Sequence, residues 1–371
     1  MEIFETSNDN STEKNRIKTK ILSPKLKTSM KTCLKEPSSN ISIPSHIQKS
    51  LENLKLEPKP EPIEGYQRFE DSNLSTRTYI IHTNMILDKK FARSLPITPY
   101  VVIPKKRGRR KKVDLPDPNV NIPDGSIITV IPDDGSGTVL GVDLKHHGKK
   151  GKGKRQGFGN STTIVMVIER KLINYKVSTN GKFQMTGVKN IQQAEKCIKF
   201  FRRYIKNTDS YTLNGTYFEA YFRPVMCNIG FSLGFMINRE RLDQYFSYNY
   251  PQYPSLWENS LGSAGANIKI PLINSDLVKV EKIRFVDGKW MKSNITFGQF
   301  KNRFPDKKKK NNKGDEKYST FLVFHKGKVN MSSMDLSLMA EPYYRFLNII
   351  KECREEIEEK LSPEYQNTEL K

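Results

Sequence analysis

Two runs of side chains could do chemistry whatever fold carries them. KKRGRRKK (105–112) sets seven cations around one glycine, and KNRFPDKKKKNNKGDEK (301–317) carries eight more. That chemistry is phosphate neutralisation. Each cation placed against a phosphate releases condensed counterions, so affinity falls steeply with salt. Lys105, Lys106, Arg107, Arg109, Arg110, Lys111 and Lys112 form the first candidate set, and Lys307, Lys308, Lys309 and Lys310 the second. The Arg-Gly-Arg core of the first could also enter an A/T minor groove, whose narrowness concentrates negative potential. A nuclear-import signal reads equally well from 105–112.

Other reactive residue types do not assemble into a site. GKGKRQGFG (151–159) has glycines and lysines but lacks the preceding strand, the following helix and the glycine spacing of a phosphate-cradling loop. His146 and His147 have no ligand partners at metal-binding spacing, and Cys33, Cys197, Cys227 and Cys353 form no CxxC pair. The cysteines read as reduced thiols of an intracellular protein. Carboxylates are dispersed, and no Ser/His/Asp or Cys/His arrangement has local support. The expectation is a non-enzyme without cofactor, metal or small-molecule substrate. With 371 residues, a net charge of +23 and a pI near 9.6, the expected partner is a polyanion, with nucleic acid ahead of an anionic membrane surface. No signal peptide is legible, and no apolar run approaches the roughly 18 residues of a membrane span.

Elements must position the basic loops. Residues 1–72, rich in Lys, Ser, Asn, Glu and Pro, read as a disordered tail. STRTYIIHTNMIL (75–87) reads as a strand and DKKFARSL (88–95) as a short helix capped by Asp88. About 104–160 is a basic surface insertion with a small hairpin around IITVI and TVLGV. STTIVMVIERKLINYKVSTNGKFQMTGVK (161–189) divides into three strands at two turn signals. NIQQAEKCIKFFRRYIKN (190–207) then places Ile191, Ala194, Ile198, Phe201 and Ile205 on one helical face, with Asn190 as cap. The second half follows the same order: a strand at 224–237, a short helix at 239–246, strands at ANIKIPLI and STFLVFHKGKVNM, and a long closing helix at 337–361. A second basic insertion spans about 272–317, and 362–371 is a short tail.

This order is an internal repeat. Val323 lies 146 residues after Val177, and an ungapped reading from that pair matches 177/323, 181/327, 182/328, 185/331, 194/340, 195/341 and 200/346. The matches fall where physics needs them: Gly181 and Gly327 at a turn that favours positive φ, Met185 and Met331 on the core parity, and Ala194 and Ala340 where a helix packs. A period of this length is too long for a solenoid, so two copies imply a pseudo-twofold molecule. The copies are 73–207 and 208–361.

The hairpin STNGKFQMTG (178–187), its second copy FHKGKVNMSS (324–333) and GFSLGFMINRERL (230–242) resemble the TATA-box-binding protein family. The resemblance covers about 75–98, 161–207 and 222–361, and the long insertions resemble those of divergent members from large DNA viruses. It implies an α+β saddle: one antiparallel sheet from both repeats, helices on the convex face and the DNA minor groove on the concave face.

Side-chain parity assigns the faces. Val177, Phe183, Met185, Phe321, Val323, Val329 and Met331 belong under the helices; Lys176, Ser178, Gln184, Thr186, Leu322, Phe324, Asn330 and Ser332 face the other way. TTIVMVI is apolar on both parities, which calls for a cover of DNA or protein. Leu322 and Phe324 could instead pack under the basic loop.

Carried over position by position, the resemblance implies that Phe324 is a wedge phenylalanine and that Tyr253 replaces its partner. The first-repeat wedge positions hold Ser161 and Ser178, unless Phe158 slips into place. The hairpin threonine is Thr186, with Ser332 as its second copy. The first-strand asparagines of the family align with Thr76 and Met226; Asn228 shares the parity of Met226, and Thr78 that of Thr76. These departures weaken strict TATA recognition and leave minor-groove docking with one strong kink. The expected function is transcription initiation: binding promoter double-stranded DNA, A/T-rich, while general transcription factors or polymerase subunits occupy the convex face. The acidic last helix (Glu352, Glu355, Glu356, Glu358, Glu359) is a solvated face or a site for a basic partner. The alternative is a degenerate saddle acting as a protein-interaction module in a transcription complex. The compartments implied are a host nucleus, a cytoplasmic viral transcription site or a virion.

Overall fold

The computed structural model describes residues 62–102, 117–134, 136–144, 160–257, 265–305 and 316–359, all within the unit Lys59–Lys371. Both basic runs, 105–112 and 307–310, lie outside the described residues, as do His146, His147, Phe158 and the segment 1–61. In chain order come β1 (Asn73–Thr83), β2 (Met85–Leu87), α1 (Phe91–Ser94), β3 (Ile127–Ile131), β4 (Leu140–Gly141), β5 (Thr162–Ile168), β6 (Lys171–Val177), β7 (Lys182–Val188) and α2 (Ile191–Ile205). There follow β8 (Tyr211–Leu213), β9 (Phe218–Ser232), α3 (Arg239–Asn249), β10 (Ser255–Leu256), β11 (Gly265–Pro271), β12 (Lys279–Val286), β13 (Lys289–Thr296), α4 (Phe297–Arg303), β14 (Tyr318–Phe324), β15 (Lys328–Ser333), α5 (Ala340–Glu352) and α6 (Arg354–Ile357).

The architecture is mostly antiparallel sheet with few helices. One sheet runs β10-β11-β14-β15-β9-β1-β7-β6-β5-β3-β4, with β12 joined to β9 and β13 to β12; β2 and β8 pair separately. β1 and β9 form the centre, antiparallel, with Thr76 opposite Asn228 and Thr78 opposite Met226. Each is flanked by the last strand of its own half, with Thr78 opposite Thr186 and Asn228 opposite Ser332. Farther out, Asn174↔Thr186 and Lys176↔Gln184 in one half stand against Thr320↔Ser332 and Leu322↔Asn330 in the other, each residue 146 positions later. The hairpin glycines share a reason. Gly181 (φ +69) and Gly327 (φ +70) lie in the left-handed region, and a Cβ there would stand 2.2 Å from the Met85 carbonyl and 2.1 Å from that of Phe235.

α2 and α5 pack on one face of this sheet. Asn190 caps α2 by accepting a hydrogen bond from the Gln193 N–H. Ala194, Cys197, Ile198, Phe201 and Ile205 of that helix are buried against Tyr79, Ile81, Ile164, Tyr175, Phe183 and Met185. The other half buries Tyr343, Phe346, Leu347 and Ile350 of α5 against Ile229, Phe231, Ile268, Phe321, Val323 and Met331. Phe321 stacks on Phe346 with ring centroids 4.3 Å apart. The core parity expected from sequence is the one observed.

Several boundaries differ. The tail does not extend to 72: Ile63, Tyr66 and Phe69 pack on the second core, a 3-10 turn forms at Phe69–Asp71, and the Tyr343 hydroxyl donates to the Gln67 carbonyl at 2.7 Å. Scattered aromatics in a polar segment find a partner there that composition does not disclose. α1 is one turn, with Asp88 holding the Lys90 N–H rather than occupying the cap position. The central strand starts at Phe218, six residues before Pro224, and the closing helix breaks at Cys353. β3, assigned by sequence to a surface insertion, is a sheet strand paired with β5.

Candidate nucleic-acid interface

The face opposite the helices collects most of the candidate residues. Thr76, Thr78, Gln184, Thr186, Met226, Asn228, Leu322, Phe324, Asn330 and Ser332 all occupy positions opposite to the core parity, on adjacent strands. Met226, Gln184, Thr186 and Asn330 are exposed; Thr76, Asn228, Leu322, Phe324 and Ser332 are half-buried, and Thr78 is buried. Ser75, Asn228, Asn267, Thr320, Leu322, Asn330 and Ser332 line a shallow depression of about 300 Å³ on this face. The side-chain carbonyls of Asn228 and Asn267 are buried there without a hydrogen-bond partner. Phe324 borders a second depression with His325, Lys326, Lys328 and Asn330. It belongs to neither hydrophobic core.

Charge on this face is one-sided. Its strands present Lys176, Lys182, Lys269 and Lys328, and among the described outward positions one carboxylate, Glu219. Lys282 Nζ lies 2.6 Å from Glu219 Oε1, Arg303 lies 3.0 Å from Oε2, and the Tyr221 hydroxyl donates to Oε2 at 2.9 Å. Burial opposes ionisation of Glu219, but these three partners outweigh it and hold its pKa below the usual glutamate range. The helix side is divided: Glu352, Glu355, Glu356 and Glu359 are exposed along α5, α6 and the residues that follow, whereas α2 carries Lys196, Lys199, Arg202 and Arg203. An anion is therefore accommodated on the sheet face and disfavoured beside α5 and α6.

The second insertion builds a wall on the sheet face that sequence reasoning missed. β12 pairs with the first third of β9, Phe222 to Phe218, and β13 pairs with β12. α4 then folds over the outward side of β1 and β9. Phe300 and Phe304 each lie 5.0 Å from the His82 ring, and Phe304 lies 5.2 Å from Tyr221. Val278, Val280, Phe297 and Met334 complete this third hydrophobic cluster. On the helix side the same insertion is clamped by Lys292, which sits 2.5 Å from the buried Glu195 carboxylate of α2. One signal for the wall stands in the sequence: Thr296 with Gln299 forms a capping box.

The remaining candidates fall elsewhere. Tyr253 is 8% exposed, stacks on Tyr250 at 5.8 Å and accepts a hydrogen bond from Arg345 at 3.0 Å. It is a member of the second core and cannot serve as a wedge without leaving it. Ser178 lies in the β6–β7 turn, its hydroxyl held by Asn180 at 2.6 Å, and Ser161 precedes β5. Neither offers an apolar wedge. Val165 and Val167, on the outward parity of β5, are 6% and 5% exposed, so that end of the face is covered.

No protein-family model matches the chain. Among curated proteins it is similar to Uncharacterized protein 335L of Invertebrate iridescent virus 6, at 24% identity over 230 residues, covering 57% of this chain and 66% of that protein. The chain thus spans just under two thirds of that relative's length. Among solved structures it is similar to Methanococcus jannaschii TBP, with a TM-score of 0.35 and 11% identity over 76% of this chain and 97% of that one. No helix among the described residues is long and apolar enough to cross a membrane.

Proposed function

We propose that the sheet face docks in the minor groove of double-stranded DNA, and that the chain is a saddle of two pseudo-symmetric repeats acting in transcription initiation. One observation carries the reading: the face opposite α2 and α5 of a two-half sheet presents contiguous Thr, Asn, Gln and apolar side chains, lysines at its margins and no unpaired carboxylate among its described outward positions. Minor-groove edges offer hydrogen-bond acceptors and few donors, which suits hydroxyl and amide groups flanked by apolar wedges. The ladder offsets support two repeats. Pairs on the outer strands recur 146 residues on, and the central pairs Thr76↔Asn228 and Thr78↔Met226 exchange under a shift of 150 (76 + 150 = 226; 78 + 150 = 228). A net charge of +23 supports a polyanionic partner. The viral relative supports a viral origin for the chain.

The test is selection of bound duplexes from a random pool, followed by salt titration of the winners. Enrichment of A/T-rich sequences with bending at a defined step supports the reading. Binding with no sequence enrichment and no bending removes it. The buried Tyr253 and the covered Val165 and Val167 favour a second reading, in which the face is a protein-interaction module. That reading predicts no duplex affinity beyond the salt-sensitive contribution of the basic runs.

A further inference from the structure

Among the described residues, the wall built by α4 stands on one flank of the sheet face. The groove between wall and sheet, about 310 Å³, is lined by Arg223, Met226, Phe297, Lys317, Thr320 and Ser332, among others. None of its lining residues is a carboxylate. The proposed twofold would carry Met226, Thr320 and Ser332 onto Thr76, Asn174 and Thr186 (226 − 150; 320 − 146; 332 − 146), and among the described residues no helix packs beside those three. The wall is also fixed in place. Ile283 is part of the first core, Phe285 and Trp290 pack against it, and the insertion is pinned from both sides by Lys292–Glu195 and Arg303–Glu219.

We propose that this groove is a track for the sugar–phosphate backbone of one DNA strand, and that it makes binding directional. The inference rests on the minor-groove reading. A face with twofold pseudo-symmetry alone accepts a duplex in two orientations of similar energy. A wall on one flank, with a cation at its base and apolar side chains against the sugars, breaks that degeneracy. Only one orientation brings the favoured backbone geometry against Lys317, Met226 and Phe297. Among the described residues the opposite flank offers the polar strand positions Thr76, Asn174 and Thr186, with Val165 covered beyond them, and no such channel. Lys317 and Arg223 are the cations of the groove, Arg223 lying 5.9 Å from the centre of the Phe300 ring, while Thr320 and Ser332 donate hydroxyls but carry no charge.

The experiment uses the full chain with Cys33→Ser and Ser232→Cys, the latter an exposed outward position in the second half; Cys197, Cys227 and Cys353 are buried and spare the label. An iron chelate on the new thiol cleaves nearby DNA, and the probe is an end-distinguishable duplex taken from the pool selection. Wild-type sequence at 317 is expected to give cleavage toward one end at least about tenfold over the other, a difference of about 1.4 kcal/mol. Lys317→Glu is expected to bring that ratio to about twofold or less with an unchanged melting temperature, and Lys317→Arg to retain it. Equal cleavage at both ends by bound protein overturns directionality while leaving the DNA-binding reading intact. An undiminished ratio in Lys317→Glu overturns the track. Absence of binding to every duplex in the pool overturns both this inference and the function beneath it.

Discussion

Phe324→Ala separates folding from recognition at a single side chain, with Phe321→Ala as its internal control. The two phenylalanines are three residues apart on β14 and point to opposite faces. Phe321 is fully buried and stacked on Phe346, so its truncation leaves a cavity in a packed core and costs ~3–5 kcal/mol. Phe324 is half-buried and outside both cores; fully burying a phenylalanine is worth about 1.5–3 kcal/mol, so removing a half-buried one costs about 1 kcal/mol. For a unit of this size that corresponds to a melting shift of roughly 2–4 °C. On DNA the order reverses. A wedge offsets an unstacking cost of about a few kcal/mol per base step, so its loss weakens binding about 10- to 100-fold and reduces the bend. Thermal melting, a gel-phase or FRET bending assay and an affinity titration on one preparation of each variant give the answer. Destabilisation of Phe324→Ala equal to that of Phe321→Ala would refute the face assignment. Wild-type stability with wild-type affinity and bending would remove the wedge.

The other predictions concern the margins of the fold and its charges. Removing residues 1–61 should leave a single cooperative melt at the same temperature, whereas removal through 72 should lower it by several degrees, because Ile63, Tyr66 and Phe69 cover the second core; equal melts would return the boundary to 72. Replacing the seven cations of 105–112 with Gln should weaken binding similarly on all duplexes and flatten the slope of log K against log salt by up to about 6, at about 0.9 per phosphate contact. An unchanged slope assigns that run to import or solvent. Glu219→Ala should cost about 2–3 kcal/mol, below the ~3–5 of a fully buried pair because the Arg303 side chain remains 55% exposed. Since the folded pKa of Glu219 is depressed, its contribution is present above the unfolded glutamate value and lost as pH falls through the folded one. Wild-type stability should therefore decline below about pH 4.5 by more than that of Glu219→Ala, checked by denaturant titration at pH 7 and pH 3.5.

Local chemistry makes much of this molecule legible in its sequence. Strand parity follows from a period of two, so Phe183, Met185, Phe321 and Met331 are assignable to the core from their neighbours alone. Asn190 announces a helix start, and the two hairpin glycines announce turns whose close approach to a carbonyl no Cβ would survive. The two similar hairpins, β6–β7 and β14–β15, can be read because the same local rules act on similar residues in each. What stays hidden depends on contacts between segments far apart in the chain. Phe300 and Phe304 fall in what reads as a basic insertion until His82 and Tyr221, at least 79 residues earlier (300 − 221), are found beneath them. Tyr253 keeps an aromatic type suited to a wedge, yet Tyr250 and Arg345 draw it into the core. Glu219 looks like one dispersed carboxylate among many, and its partners Lys282 and Arg303 come from an insertion whose pairing with β9 is set by burial of Val280, Ile283 and Phe300. Periodicity fixes which side of a strand a residue occupies, because that is a property of the backbone; what covers that side is decided by whichever distant segment gains most from leaving water there.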